Sequence, residues 1–340
     1  MSRQRLSLPA AAITVAGTAA FFAARAFLRA PSSNAPRPVV IVTGGSRGLG
    51  YAIASRYARN GARLVLAARD RAELERAQAS LLAEHPNMRP EDFYLVPVDL
   101  ATPAGCDRLI LEAMRRFSRI DVLVNNAGII QVGPADIQPL EAYEQAMRLN
   151  FFAALYTTYA ALPHMTAQLR GSGPFRNRRA AIVNIASLGG KISVPHMLPY
   201  SAAKFALVGF SEGLHAEVRG AGVRVTTVCP GLMRTGGEEH AQFAGDIPKE
   251  QRWFKLAART PGLSATPEYA ANRIYNAVQC GRAEITITPQ AWLAARFAGL
   301  APETTQCLNA MVNDWLLPAS RYAEPPAKLR SASPAVGLPD

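Results

Sequence analysis

A chain of 340 residues, 49% of them hydrophobic, can bury one sizeable core. Its net charge of +12 comes from 37 basic and 25 acidic side chains, and no basic stripe is interleaved with stacking aromatics, which argues against nucleic acid as a partner. Cys106, Cys229, Cys280 and Cys307 have neither metal-ligand nor Cys-x-x-Cys spacing, so neither a metal site nor a disulfide framework is expected, and a reducing, intracellular setting fits.

The first element in chain order is the apolar run 6–24, with arginines on both flanks. As a helix it would be about 28 Å long, near the thickness of a bilayer core. It reads first as a membrane anchor; a cleaved signal peptide and an interfacial Ala-rich leader are the alternatives. The stretch 31–38, PSSNAPRP, is a polar, Pro-rich linker that closes this leader.

Short apolar runs then alternate with longer amphipathic ones. Strands are expected at Val39–Thr43, Leu64–Ala68, Phe93–Val98, Val122–Asn125, Ala181–Ala186, Val223–Val228 and Ile285–Thr288. Helices are expected at Leu49–Asn60, Arg71–Glu84, Cys106–Phe117, Glu141–Met165, Ser201–Arg219 and Pro267–Gly281. This alternation predicts an α/β domain over 39–290, a doubly wound parallel sheet of the Rossmann type. Its ligand crevice should open at the carboxyl ends of the strands. Residues 291–318 form a helical C-terminal extension, expected to pack on the core, and 319–340 read as a disordered Pro/Ala/Ser tail.

Thr43-Gly44-Gly45-Ser46-Arg47-Gly48-Leu49-Gly50 follows the first strand and opens the first helix. Glycines permit a tight turn, and the helix amino end offers free N–H groups and a positive dipole to a pyrophosphate. The second strand ends at Ala67-Ala68-Arg69-Asp70, where a nucleotide ribose should lie. Arg69 and Arg47 converging there favour a 2′-phosphate, hence NADP(H); Asp70 facing the ribose would favour NAD instead. Asp99-Leu100 and Asn126-Ala127-Gly128 follow the third and fourth strands and are placed along the adenine side.

Tyr200 and Lys204 share one helical face at i and i+4. With ten Tyr and five Lys (191, 204, 249, 255, 328), chance supplies roughly 0.15 such pairs. A free phenol, with a pKa near about 10, exchanges protons poorly at neutral pH. A neighbouring ammonium would favour the phenolate, and the Ser187 hydroxyl could polarise the same carbonyl oxygen.

Together these pieces resemble the short-chain dehydrogenase/reductase family in its compact branch. The matching segments are TGGSRGLG (43–50), NNAG (125–128), Asn150, Ser187, YSAAK (200–204) and PGLMRT (230–235), in family order and spacing. The resemblance implies that Tyr200 is the acid/base and that Ser187 steadies the carbonyl. Lys204 would bind the nicotinamide ribose and depress the Tyr200 pKa. Asn150 would hold a proton-relay water. Pro230, Gly231 and Thr235 would lie near the nicotinamide. It also implies a homodimer or tetramer.

The expected activity is interconversion of a ketone and a secondary alcohol on a small-molecule, lipophilic substrate, steroid-, sphingoid- or acyl-like. The catalytic domain would face the NADPH-rich cytoplasm from a membrane anchor. The competing function is an NADP-binding redox sensor or scaffold without turnover. His196 and Lys191 could touch substrate, although a structural role is the simpler reading of each. The segment 236–263 stands where the family carries a lid, and its Trp253 and Phe254 hint at an apolar substrate.

Overall fold

The computed structural model of the chain describes residues 37–170, 180–260 and 264–318. The apolar run 6–24 and the tail 319–340 lie outside the described residues. No helix among the described residues is long and apolar enough to cross a membrane.

Seven strands build the main sheet: β1 (Val39–Thr43), β2 (Arg63–Ala68), β3 (Phe93–Pro97), β4 (Val122–Asn125), β6 (Ala180–Ile185), β7 (Val223–Cys229) and β9 (Glu284–Thr286). All pair in parallel, in the order β3-β2-β1-β4-β6-β7-β9. Each lies within two residues of its expected limits. The chain lays β1, β2 and β3 outward in one direction and then returns to place β4 on the other side of β1. That reversal makes the carboxyl ends of β1 and β4 the crevice of a doubly wound sheet.

The strands are apolar throughout because both faces of the sheet are covered. Val40, Val42, Leu64, Leu66 and Val124 pack against α1 (Gly48–Ala58) and α8 (Pro267–Cys280), through Ile53, Tyr57, Ile274 and Ala277. The alternate residues Val39, Ile41, Val65, Leu123 and Ile182 pack against α3 (Pro103–Phe117) and α5 (Ala153–Arg170), through Leu109, Ile110, Ala161 and Met165. Helix starts carry the expected chemistry. Asp70 caps α2 (Arg71–Glu84), Thr102 caps α3 and Thr266 caps α8, each accepting a backbone N–H.

Three departures from the sequence expectation bear on function. The single helix expected over Glu141–Met165 is α4 (Leu140–Met147), a π turn at Arg148–Phe152, and then α5. A second, two-stranded parallel sheet joins β5 (Gln131–Val132) to β8 (Gln242–Phe243), which leads into α7 (Ile247–Arg259). The C-terminal pair α9 (Pro289–Leu300) and α10 (Pro302–Leu316) does not pack on the core as expected. Ala291 alone is buried in α9 and nothing is in α10, and Trp292, Leu300 and Trp315 face outward. Asn309 tethers α10 to the body by donating to the Ser193 carbonyl at 2.9 Å.

Candidate active site

The glycine loop is shaped by close backbone approach. Gly44 and Gly48 have φ of +63° and +56°, a conformation that costs any other residue. A Cβ on Gly50 would sit 2.1 Å from the Gly44 carbonyl and 2.6 Å from Asn126 Nδ2. Thr43 ties the loop to β4: its hydroxyl donates to Val124 O at 3.2 Å and accepts from the N–H groups of Asn126 and Ala127 at 2.8 and 3.0 Å. Asn126 Nδ2 donates to Thr43 O and Gly44 O at 3.0 and 3.2 Å. Helix α1 starts at Arg47 with no side-chain cap and no acid in its first turn, and Leu49 in that turn packs inward. Its amino end therefore presents uncapped N–H groups and a positive dipole, the donor set a pyrophosphate needs.

The end of β2 departs from the simple picture. One oxygen of the Asp70 carboxylate caps the following helix, accepting from Glu73 N at 3.0 Å. Arg69 is exposed and, among the described residues, has no ion-pair partner. Arg47 and Ser46 both reach Glu73, with Arg47 Nη1 at 2.9 Å from Oε1 and the Ser46 hydroxyl at 3.1 Å from Oε2. Glu73 escaped the sequence reading, although Asp-x-x-Glu at a helix start is a capping-box pattern that could have located it.

After β3, the Asp99 carboxylate accepts from Ala101 N at 3.0 Å and fixes the turn, while the Leu100 side chain is buried in the core. After β7, Pro230 O accepts from Leu188 N at 2.7 Å, so the 230–235 loop lies against the residues following Ser187. A Cβ on Gly231 would meet Thr288 Oγ1 at 2.8 Å. Thr235 approaches the glycine loop, its carbonyl 3.3 Å from where a Gly48 Cβ would stand.

The residues expected to react gather at the ends of β4 and β6. Ser187 follows β6, and its Oγ accepts from Gly189 N at 3.0 Å. Helix α6 (Leu198–Val218) begins earlier than expected, with Tyr200 in its first turn and Lys204 one turn on. A Cβ on Gly189 would lie 3.3 Å from the Tyr200 ring and 3.4 Å from Ser187 Oγ, so this turn runs close against both side chains. Lys204 Nζ lies 5.6 Å from the Tyr200 ring centroid and donates to Ile185 O at 2.8 Å. Burial pulls the Lys204 pKa down to about 8.

The expected effect of Lys204 on Tyr200 is not what this geometry produces. Burial raises the phenol pKa, and a hydrogen bond with Ser187 opposes the rise. The ammonium sits beside the ring with one N–H given to Ile185 O, and desolvation is the largest influence on the phenol.

Asn150 lies in the π turn and is buried. Its Oδ1 accepts from Ile129 N at 2.9 Å and its Nδ2 donates to Ile129 O at 3.0 Å. The side-chain amide thus holds the backbone at Ile129 from both sides. Lys191, a candidate substrate contact, instead bridges Glu212 at 2.8 Å and Glu284 at 2.7 Å. His196 is buried against Glu250, so it too is away from any open surface. Trp253 and Phe254 join Val132 and Met197 in an apolar cluster against which the Tyr200 ring packs.

A doubly wound sheet with a glycine loop, an uncapped helix end and a Ser–Tyr–Lys cluster at one carboxyl edge is the arrangement of a nucleotide-binding oxidoreductase. Residues 38–242 match the short chain dehydrogenase family profile. A dehydrogenase/reductase SDR family protein 7-like of Anopheles gambiae is 32% identical over 257 residues, covering 76% of this chain and 77% of that protein. An 11-beta-hydroxysteroid dehydrogenase A of Sesamum indicum is 29% identical over 268 residues, covering 78% and 72%. The crystal structure of a short-chain dehydrogenase/reductase from Burkholderia phymatum in complex with NAD shares the fold with a TM-score of 0.70 at 24% identity, over 80% of this chain and 96% of that one. The chain belongs to the short-chain dehydrogenase/reductase family, oxidoreductases acting on CH–OH groups.

Proposed function

We propose that this chain interconverts a lipophilic ketone and its secondary alcohol with NADP(H). The observation that carries the reading is the meeting of Ser187, Tyr200 and Lys204 at the sheet edge that also holds the glycine loop and the uncapped start of α1. The α1 amino end would hold the pyrophosphate, and Lys204 the nicotinamide ribose. Pro230, Gly231 and Thr235 would flank the nicotinamide, and Asp99, Leu100, Asn126, Ala127 and Gly128 the adenine side. The preference for NADP(H) rests on Arg69, which is free to meet a 2′-phosphate, and on Asp70, whose carboxylate is committed to its helix cap. Glu73 opposes the phosphate, and Arg47 would exchange it for the phosphate.

When bound, the reduced nicotinamide supplies hydride to the carbonyl carbon. Tyr200, held protonated by burial, donates its phenolic proton to the developing alkoxide. The Ser187 oxygen accepts from Gly189 N, and its O–H, which bonds Tyr200 in the free site, would turn to the carbonyl oxygen of the substrate. Asn150, anchored on Ile129 through one N–H and one lone pair of its side-chain amide, would hold the relay water. The wall formed by Val132, Met197 and Phe254 next to Tyr200 supports an apolar substrate, and the sesame relative's name, a hydroxysteroid dehydrogenase, points the same way.

We take 39–290 as the catalytic domain, α9 and α10 as an extension, and 6–24 as a membrane anchor that leaves this domain facing the cytoplasm. Family likeness is what supports a homodimer or tetramer as part of this reading. Protease protection on membranes tests the orientation. The chemistry is tested by NADPH oxidation against ketones of graded chain length. Tyr200→Phe should lose about 10²-fold or more in turnover while binding NADPH as the parent does. Tight NADPH binding with no ketone turned over by the parent would overturn the reading in favour of a sensor.

A further inference from the structure

One buried carboxylate has no part in this chemistry. Glu250 stands in the first turn of α7 and is fully buried. An ionised carboxylate out of water is costly unless donors meet both oxygens. Here two do: Oε1 lies 2.7 Å from His196 Nδ1, and Oε2 accepts from the Trp253 indole N–H at 2.5 Å. With the carboxylate as acceptor, His196 donates from Nδ1.

His196 is held in an uncommon backbone conformation. Its φ of 62° lies in the left-handed region, which a residue with a Cβ enters only when its surroundings over-determine it. Its carbonyl accepts from Gly133 N at 2.7 Å. Gly133 follows β5, β5 pairs with β8, and β8 leads into α7. Tyr200 comes four residues after His196. Met197, the next residue, belongs with Val132 and Phe254 to the cluster that packs against Tyr200 and Trp253. Three segments far apart in the chain therefore meet at one histidine.

We propose that His196 and Glu250 form a buried joint that fastens α7, and with it the apolar wall, to the segment leading into Tyr200. They are positioning residues for the apolar part of the substrate. The inference rests on the ketone-reductase reading for its substrate, whereas its geometry stands independently of that reading. A carboxylate serves two donors at once. A carboxamide serves both only if the histidine moves its proton to Nε2, a nitrogen that is buried without a protein partner.

The test uses the full chain carrying Glu250→Ala, Glu250→Gln, His196→Asn or Trp253→Phe. Asparagine tolerates the left-handed backbone yet is too short to span the joint. Amide hydrogen exchange, read without substrate, should quicken by about tenfold or more in both 247–259 and 194–200 for Glu250→Ala and His196→Asn. Glu250→Gln should fall between these variants and the parent, and Trp253→Phe should loosen 247–259 more than 194–200. On a ketone that the parent reduces, KM should rise about tenfold in the two joint-breaking variants, with kcat and the NADPH Kd within about twofold. A purely stabilising role would lower the melting temperature without this split between KM and kcat.

Exchange that quickens in 247–259 alone, or an unchanged KM, overturns the proposal. If Glu250→Ala does not fold, His196→Asn and Trp253→Phe decide it by the same readings. If the parent reduces no ketone, the functional reading fails while the exchange experiment still decides whether the joint exists.

Discussion

Replacing Lys204 by methionine should make the protein more stable at neutral pH while ending its activity. The Lys204 ammonium is almost fully buried and has one acceptor among the described residues, Ile185 O at 2.8 Å. Burial brings its pKa from 10.5 to about 8. Cys229 offers little compensating charge, because burial pushes its own thiol up to about 12. At about 1.4 kcal/mol per tenfold change in proton affinity, the drop is a folding penalty of about 3 kcal/mol.

The sign follows from linkage. Below pH 8 the lysine is charged in both states and the folded state bears the whole penalty. Between pH 8 and 10.5 the folded chain has released a proton that the unfolded chain keeps, so stability rises with pH. Methionine removes the penalty but leaves the Ile185 carbonyl unpaired, a loss of about 1–2 kcal/mol. The net gain at pH 7 is about 1–2 kcal/mol. Urea unfolding of parent and variant at pH 7, 8.5 and 9.5 measures it, and contributions from other titrating groups cancel in the difference. The gain should shrink steadily as pH rises. A variant less stable than the parent at pH 7, or a difference that does not change with pH, would refute the reasoning.

Arg69→Ala should lower kcat/KM for NADPH about tenfold with little change for NADH, as expected for loss of a phosphate contact. Glu73→Gln should instead strengthen binding of 2′,5′-ADP relative to 5′-ADP, because the carboxylate on Ser46 and Arg47 opposes the 2′-phosphate; calorimetry reads both. In Gly128→Ala the new methyl would stand 2.5 Å from Asn150 Oδ1 and 3.7 Å from Lys204 Nζ. It must push Asn150 off Ile129, so thermal unfolding should show about 1–3 kcal/mol of destabilisation together with a fall in kcat. Because burial holds the Tyr200 phenol above its ordinary 10, alcohol oxidation should climb without a plateau up to pH 10. A pH–rate profile that levels near pH 7 would show a phenol already ionised there.

Elements with a local cause were legible in the chain. The seven strands are apolar runs, since both sheet faces are covered, and the helices carry their own periodicity. The glycine loop and the Tyr200–Lys204 spacing are likewise short-range patterns. The π turn was hidden inside a helical periodicity, because one extra residue in a turn does not alter the apolar pattern of either flank. The exposed face of α9 and α10 read as core, because amphipathic sequence does not say what covers it.

The sequence by itself determined the fold class and marked the glycine loop and Ser187, Tyr200 and Lys204 as candidates, because backbone propensity and i, i+4 spacing act over a few residues. The tertiary structure alone decided which charges meet. Glu73 lies 26 residues from Arg47, and Glu250 lies 54 residues from His196. It also set the direction of the Tyr200 pKa, because desolvation and the aim of the Lys204 ammonium exist only once the core has closed around them.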